Sequence, residues 1–364
     1  MKPVSCYLFL LALAVCVSCG QGGQRVVGRK PITQSLSGSV MKVQEFLDDA
    51  PNIRAVSQDF VFLYFSRRDT SQLVAYRMEG DSLTYFNGFV DKGRGPQEVI
   101  YTDFSFCGDT LFYSNGSPSG ISQFFGIPVN DKLQIKTRRR WKEYASPKPE
   151  MMTWQDYTGY GPGRFLIAGG EEETRHFLTL VDCIAGTCTP VRYWPNDSTD
   201  VPVHSKQMVY AECRLSSQGD LVCYAHRYSR YLSIFKVKDD GTYEEKAVIY
   251  SKLPEYELRK DGLNIRYLNK DDAGIKLYTT RDYIFVQLDR TPNEKKESES
   301  YKGYENYCFD ELEVYDWKGR FVANFQTDKP FFSFAVSPDN RYLFTMTEDP
   351  ETFEAVLTRY ELPL

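Results

Sequence analysis

Apolar and polar positions alternate with period two along most of the chain. The runs are short, rich in β-branched and aromatic residues, and separated by Gly, Asp and Asn. That pattern predicts half-buried β-strands joined by tight turns. One unit recurs: a strand, a polar turn, then a more apolar strand. It occurs as IRAVSQDFVFLYF (53–65), TDFSFCGDTLFYS (102–114), the degenerate WQDYTGYGPGRFLIAG (154–169), YAECRLSSQGDLVCYA (210–225), IKLYTTRDYIFVQL (275–288) and FSFAVSPDNRYLFTM (332–346). The turn markers Asp59, Asp109, Gly163, Asp220, Asp282 and Asp339 lie 50, 54, 57, 62 and 57 residues apart.

Each interval holds two further strands. After Asp220 these are RYLSIFKVK and YEEKAVIY around DDG; after Asp282 they are ELEVYDW and FVANFQ around KGR. Gly-centred turns between alternating runs are hairpin signals. A single four-stranded antiparallel meander cannot bury both faces, whereas six stacked around an axis can. The predicted fold is therefore all-β, a six-bladed β-propeller.

The sixth repeat has one strand too few. After AVLTRYEL (355–362) the sequence ends at Leu364, while SGSVMKVQEFL (37–47) is strand-like and belongs to no repeat. The N-terminal strand is expected to complete the C-terminal blade and cover an open sheet edge. The polar stretch 291–307 reads as a surface loop. Segment 254–272 reads as a linker across one end of the ring, with room for a short helix.

The first residues read differently. Lys2 precedes an apolar run, YLFLLALAVCV (7–17), of the length a secretory leader needs and too short to span a bilayer. It ends in CVSCG, which resembles a bacterial lipobox, with Cys16 where Leu is usual. That resemblance implies a signal peptide over 1–18, cleavage before Cys19 and lipidation of its thiol and amine; acyl chains anchor by about 0.8 kcal/mol per buried methylene. Residues 19–36 read as the lipidated N-terminus and a flexible tether reaching about 25 Å, and 37–364 as the propeller.

Without the leader 43 basic residues face 49 acidic ones. A mildly acidic chain whose one basic cluster is TRRRW (137–141) is not read as a nucleic-acid binder. Six of the nine cysteines remain beyond Cys19. An exported chain permits disulfides, and two pairs are local. In CIAGTC an Ala-Gly turn would set Cys183 opposite Cys188. In CRLSSQGDLVC a five-residue loop would set Cys213 opposite Cys223. Free buried cysteines acting as small hydrophobes fit equally well. Three histidines and these spacings give no zinc pattern.

DKGRGPQEV (91–99) connects the first repeat to the second. Its glycines suit positive φ and Pro96 fixes the exit, so a shaped connector is the first reading. Connectors of this kind cross the face on which the inner strands converge. Arg94 and Asp103 are accordingly the candidate ligand-binding residues at the channel mouth. The GxGPxE connector, the lipobox and SPDNRYLF together resemble the six-bladed TolB-like or NHL-like propeller lipoproteins of Gram-negative gut bacteria. Gly93, Gly95, Pro96 and Glu98 match the connector, and Gln97 stands where Gly is frequent. The resemblance implies an outer-membrane lipoprotein of the cell envelope and carries no catalytic residues.

Nothing in the sequence assembles a known catalytic apparatus. GSPSG (116–120) has Pro where a nucleophilic Ser would stand. Asp59, Asp103 and Asp156 fall near inner hairpins, where some propeller lactonases hold calcium. The expected function is a monomeric, membrane-anchored, non-catalytic propeller that binds a protein, peptide or glycan without a cofactor. The alternative is a calcium-dependent hydrolase or lyase with its site in the channel. Three or more oxygens converging on the axis would favour the enzyme, and a mixed-charge mouth would favour binding.

Overall fold

A computed structural model describes residues 33–43, 51–95, 98–100, 102–117, 120–137, 142–148, 153–170, 175–260, 264–268, 275–288, 309–349, 351–352 and 354–364. The leader, Cys19, Cys308, the arginines of TRRRW and loop 291–307 lie outside them.

Six antiparallel sheets follow one another as blades. The inner strands are Asn52–Val56, Phe104–Cys107, Thr153–Gly159, Cys213–Gln218, Ile275–Thr279 and Ser333–Val336. Each turns back into a second strand at the expected marker, for example Asn52–Val56 into Phe60–Tyr64 and Cys213–Gln218 into Leu221–His226. Third and outer strands complete each meander, as Tyr231–Val237 and Tyr243–Ser251 do in blade 4. The first hairpin of every blade closes on a turn rich in Asp, Asn or Gly. Gly219 and Gly163 take φ of 60° and 67°, where a Cβ is disfavoured.

The blades stick to one another through large side chains. The Phe124 ring of blade 2 stacks on Phe165 of blade 3 with centroids 3.9 Å apart, and Tyr193, after blade 3, stacks on Phe235 of blade 4 at 4.1 Å. Tyr193 is buried, and its hydroxyl meets Ser233 Oγ at 2.5 Å, so its polar end is satisfied. Between blades 6 and 1, Leu343 and Tyr360 join a cluster with Val61 and Leu63.

The ring is closed by the N-terminal strand, more extensively than one added strand requires. Ser39–Val40 pairs antiparallel with Ala355–Glu361, setting Ser39 opposite Arg359 and Val40 opposite Thr358. On one side of it Thr33–Leu36 pairs parallel with Phe321–Phe331 of blade 5. On the other, Lys42–Val43 pairs parallel with Ser82–Phe89 of blade 1. Residues 33–43 thus form a strap across three blades, and its first four residues fall in the stretch read as tether. Met41 is 3% exposed and donates its N–H to Leu357. Gly38 crosses so close to blade 6 that a Cβ there would lie 2.3 Å from Thr358 and 2.6 Å from the Tyr360 ring.

Three local expectations are corrected. Linker 254–272 carries a small hairpin, Tyr256–Leu258 with Ile265–Tyr267, and the helix lies in the previous linker at Val203–Ala211. The cysteine pairs do not face each other across the ladders. Gln218 pairs with Leu221 around a tight Gly219–Asp220 turn, which sets Cys213 opposite His226 and Cys223 opposite Ser216. In CIAGTC, Asp182 pairs with Thr187, and its carboxylate accepts the N–H groups of Ile184 and Ala185. That longer turn places Cys188 opposite Val181. None of Cys183, Cys188, Cys213 and Cys223 is in a disulfide.

Candidate functional site

DKGRGPQEV is a connector that closes on itself. Asp91–Lys92 and Glu98–Val99 pair as two short parallel strands, and Gly95 N–H donates to Glu98 Oε2 at 2.7 Å. Neither Gly93 nor Gly95 takes positive φ. The glycines serve close approach: a Cβ on Gly93 would lie 2.0 Å from Glu98 Oε2, and one on Gly95 would lie 2.9 Å from Glu98 Cδ. Gly93→Ala is expected to push the carboxylate aside and cost about 1 kcal/mol, the worth of that hydrogen bond. The added cost should vanish in a Glu98→Ala background. Chemical denaturation of the double-mutant cycle measures it.

Arg94, at the tip of this loop, is exposed and does not line the cavity described next. Asp103 does. The structure therefore brings Asp103 but not Arg94 to the channel, together with Asp156 and with cations that the sequence does not single out.

A cavity of about 400 Å³ lies on the axis, toward the N-terminal ends of the inner strands. Its charged lining comes from five blades: Arg54, Asp103, Asp156, Arg214 and Lys276. Aromatic and hydroxyl groups complete it, including Phe104, Tyr278, Ser216 and Ser333.

Neighbouring inner strands are tied together around this axis. Tyr157 OH donates to Asp103 O (2.9 Å), joining blades 2 and 3. Asp156 Oδ2 accepts Leu215 N–H (2.9 Å), joining blades 3 and 4. Ser216 and Thr279 hydroxyls meet at 2.5 Å between blades 4 and 5. Lys276 Nζ donates to Phe332 O (2.5 Å) at the entry to blade 6, and Ile53 N–H donates to Ser333 Oγ (2.9 Å) to return to blade 1. Blades 1 and 2 meet through Arg54, whose guanidinium lies 5.1 Å from the Tyr64 ring and 5.4 Å from that of Phe104.

The charges differ in how well they are satisfied. Asp156 is 5% exposed; Oδ1 accepts its neighbour Tyr157 N–H at 3.0 Å, and Arg214 Nη1 stands 3.9 Å from Oδ2. Burial outweighs these contacts and pushes its carboxyl up to about 7. Arg54 is held below the usual guanidinium range by burial first, with Arg214 adding repulsion and Asp103 opposing. Its Nε is buried without a hydrogen-bond partner. Among the described residues no group of three or more His, Cys, Asp or Glu is placed to hold a metal ion.

The connectors that enter the inner strands surround this end of the axis. They carry exposed apolar side chains: Ile100 before blade 2, Val203 and Met208 on the helix before blade 4, and Leu268 before blade 5. Tyr267 and Tyr224 donate their hydroxyls to Val209 O and Tyr210 O, which fixes the helix under the neighbouring hairpin and blade 4.

No protein-family model matches the chain, and no curated protein matches it in sequence. Among solved structures it is similar to a member of the DUF4221 family from Bacteroides vulgatus, at 11% identity and a TM-score of 0.47, over 91% of this chain and 98% of that one. It is also similar to the β-propeller domain of Myceliophteria thermophila Cps50 (Swd1), at 11% identity and a TM-score of 0.42, over 89% and 99% of the two chains. The WD40 repeats of RRP9 align at 7% identity and a TM-score of 0.43, over 91% and 100%. The chain is a six-bladed β-propeller.

Proposed function

We propose that the chain is a non-catalytic binding protein of the bacterial cell envelope, exported by its leader, held on a membrane through lipidated Cys19, and engaging a protein partner on the channel face. The observation that carries this reading is a charged axial cavity with exposed aliphatic and Met side chains on the connectors that enter the inner strands. Exposed apolar groups around a polar centre are what a protein partner buries. The cavity mixes three cations with two carboxylates, which is the mixed-charge mouth that favours binding over calcium-dependent hydrolysis. The leader and its lipobox-like end support export and anchoring, as does the resemblance to TolB-like or NHL-like lipoproteins. Among the described residues no helix is long and apolar enough to cross a membrane.

Affinity capture of the native protein from solubilised membranes tests the partner. A protein should co-purify with the wild type and be lost with Met208→Glu/Leu268→Glu, whose sites are exposed and whose fold should be intact. A captured set that ignores these substitutions contradicts the reading, as would a glycan retained in place of a protein. Cys19→Ala should abolish fatty-acid labelling and release the chain from membranes; retention without label would contradict the anchor.

A further inference from the structure

We propose that the axial cavity binds one carboxylate group of an acidic or chain-terminal peptide segment, held by Arg54 with Arg214 and Lys276, while Asp103 and Asp156 face the N–H groups beside it. The proposal rests on the reading of the channel face as a protein-binding face.

The first ground is an unsatisfied donor. Arg54 Nε is buried and unpartnered in a cavity wall. A buried donor left without an acceptor is destabilising. No carboxylate lies within ion-pair distance of Arg54 among the described residues; the rings of Tyr64 and Phe104 flank it instead. Flanking rings fix the plane of the guanidinium and leave its fork for an incoming acceptor.

The second ground is charge. The cavity has three cations and two carboxylates. Both Asp156 oxygens already accept backbone N–H groups, and Asp103 Oδ1 accepts Phe104 N–H at 2.8 Å. Cations outnumber carboxylates in the lining, which suits an anion. A planar carboxylate also matches the guanidinium fork, where two parallel N–H···O bonds form.

The third ground is the surroundings. A volume of about 400 Å³ admits a terminal residue or an acidic side chain rather than a folded body. Among the described residues the exposed large apolar side chains on this face, Ile100, Val203, Met208 and Leu268, are aliphatic or Met, whereas exposed Tyr85 lies on an outer strand, Ser82–Phe89. A polypeptide covers such residues; a sugar acid would look for exposed aromatic rings to stack on.

The test is a titration of the full chain, labelled at arginine, followed through its Nε–H resonances. The probe is N-acetylglycylglycine, with its C-terminal amide as the neutral match. The acid should shift the Arg54 resonance saturably, and the amide should not over the same range. Arg54→Met should weaken the acid at least tenfold; Lys276→Met, read by calorimetry, serves as the second variant should Arg54→Met fail to fold. Equal binding of acid and amide, or unchanged affinity in a folded Arg54→Met chain, overturns the proposal. So does the absence of saturation by the acid. Glucuronate or inorganic phosphate saturating at tenfold lower concentration than the peptide acid would assign the cavity to a sugar acid or a phosphate. A captured protein that needs Met208 and Leu268 while the probe fails overturns this inference alone; saturable probe binding with no such protein overturns only the partner reading.

Discussion

Deleting residues 33–43 is expected to unfold the ring or leave it prone to self-association. The strap supplies a strand to three blades, and its removal exposes the edges of Phe321–Phe331, Ala355–Glu361 and Ser82–Phe89 at once. Leu36 and Met41, 9% and 3% exposed, leave the cluster between blades 5, 6 and 1. Each is worth about 1.5–3 kcal/mol of burial, and each lost ladder hydrogen bond adds about 0.5–1.5 kcal/mol. Together these rival the whole stability of a typical domain, about 5–15 kcal/mol. The contrast is internal: a chain starting near residue 32 should melt like the full-length protein, and one starting at 44 should show no cooperative transition by calorimetry. Gly38→Ala should reproduce a milder form of the defect, because Thr358 and Tyr360 leave no room for a Cβ. Equal melting of the two truncations would show that the strap is dispensable.

The second large effect is a pair of opposed acid responses that the wild type hides. Asp156 titrates near 7 in the fold against an ordinary 3.8, raised chiefly by burial. The folded state then binds a proton that the unfolded state has released, so this residue makes stability rise as pH falls from about 7 to 4. His226, fully buried with Nε2 at 2.9 Å from Val209 O, is pulled down by burial from 6.5 to about 4. There the unfolded state takes the proton first, so stability falls over much of the same range. Among the charged groups acting on Asp156, Arg214 favours its ionised form and Asp103 opposes it, and Arg54 also interacts with it. Each shift corresponds to about 3–4 kcal/mol. Taken as variant minus wild type, Asp156→Asn should lose stability progressively on acidification from pH 7 to 4. His226→Gln should gain it over the same interval. Urea midpoints at half-unit pH steps measure both. Difference curves of the same sign would contradict the assignment.

Most of the architecture is legible because it is repeated. A two-residue period fixes strands, and Asp109, Asp220, Asp282 and Asp339 each mark the turn where an inner strand reverses. Closure was legible from arithmetic, since blade 6 lacks a strand that SGSV provides. Turn length was not. Asp182 captures two N–H groups and lengthens one loop, while Gly219 shortens another, and a change of register moves every facing pair, so the cysteine pairings failed together.

The site was half legible. Arg94 drew attention because it stands in a conspicuous loop, yet that loop is shaped by Glu98 and stands apart from the channel lining. The informative signal was a column in the repeat. Five to seven residues before the turn markers stand Arg54, Asp103, Asp156, Arg214 and Lys276, each a charge in a strand otherwise suited to burial. Only Asp103 and Asp156 were singled out, as carboxylates. The cations were missed because each reads alone as an ordinary strand-end charge. A charge at that place in one blade faces solvent or a neighbour; in five blades around an axis it lines a cavity.

The proposed recognition of a peptide acid runs through the axial cavity that Arg54 lines. A crystal structure of the full chain grown with N-acetylglycylglycine tests it most directly. The account predicts the carboxylate within hydrogen-bond distance of the Arg54 guanidinium inside the cavity. Density for the peptide acid only on the outer strands or the rim, with nothing bound at the Arg54 guanidinium, would contradict it.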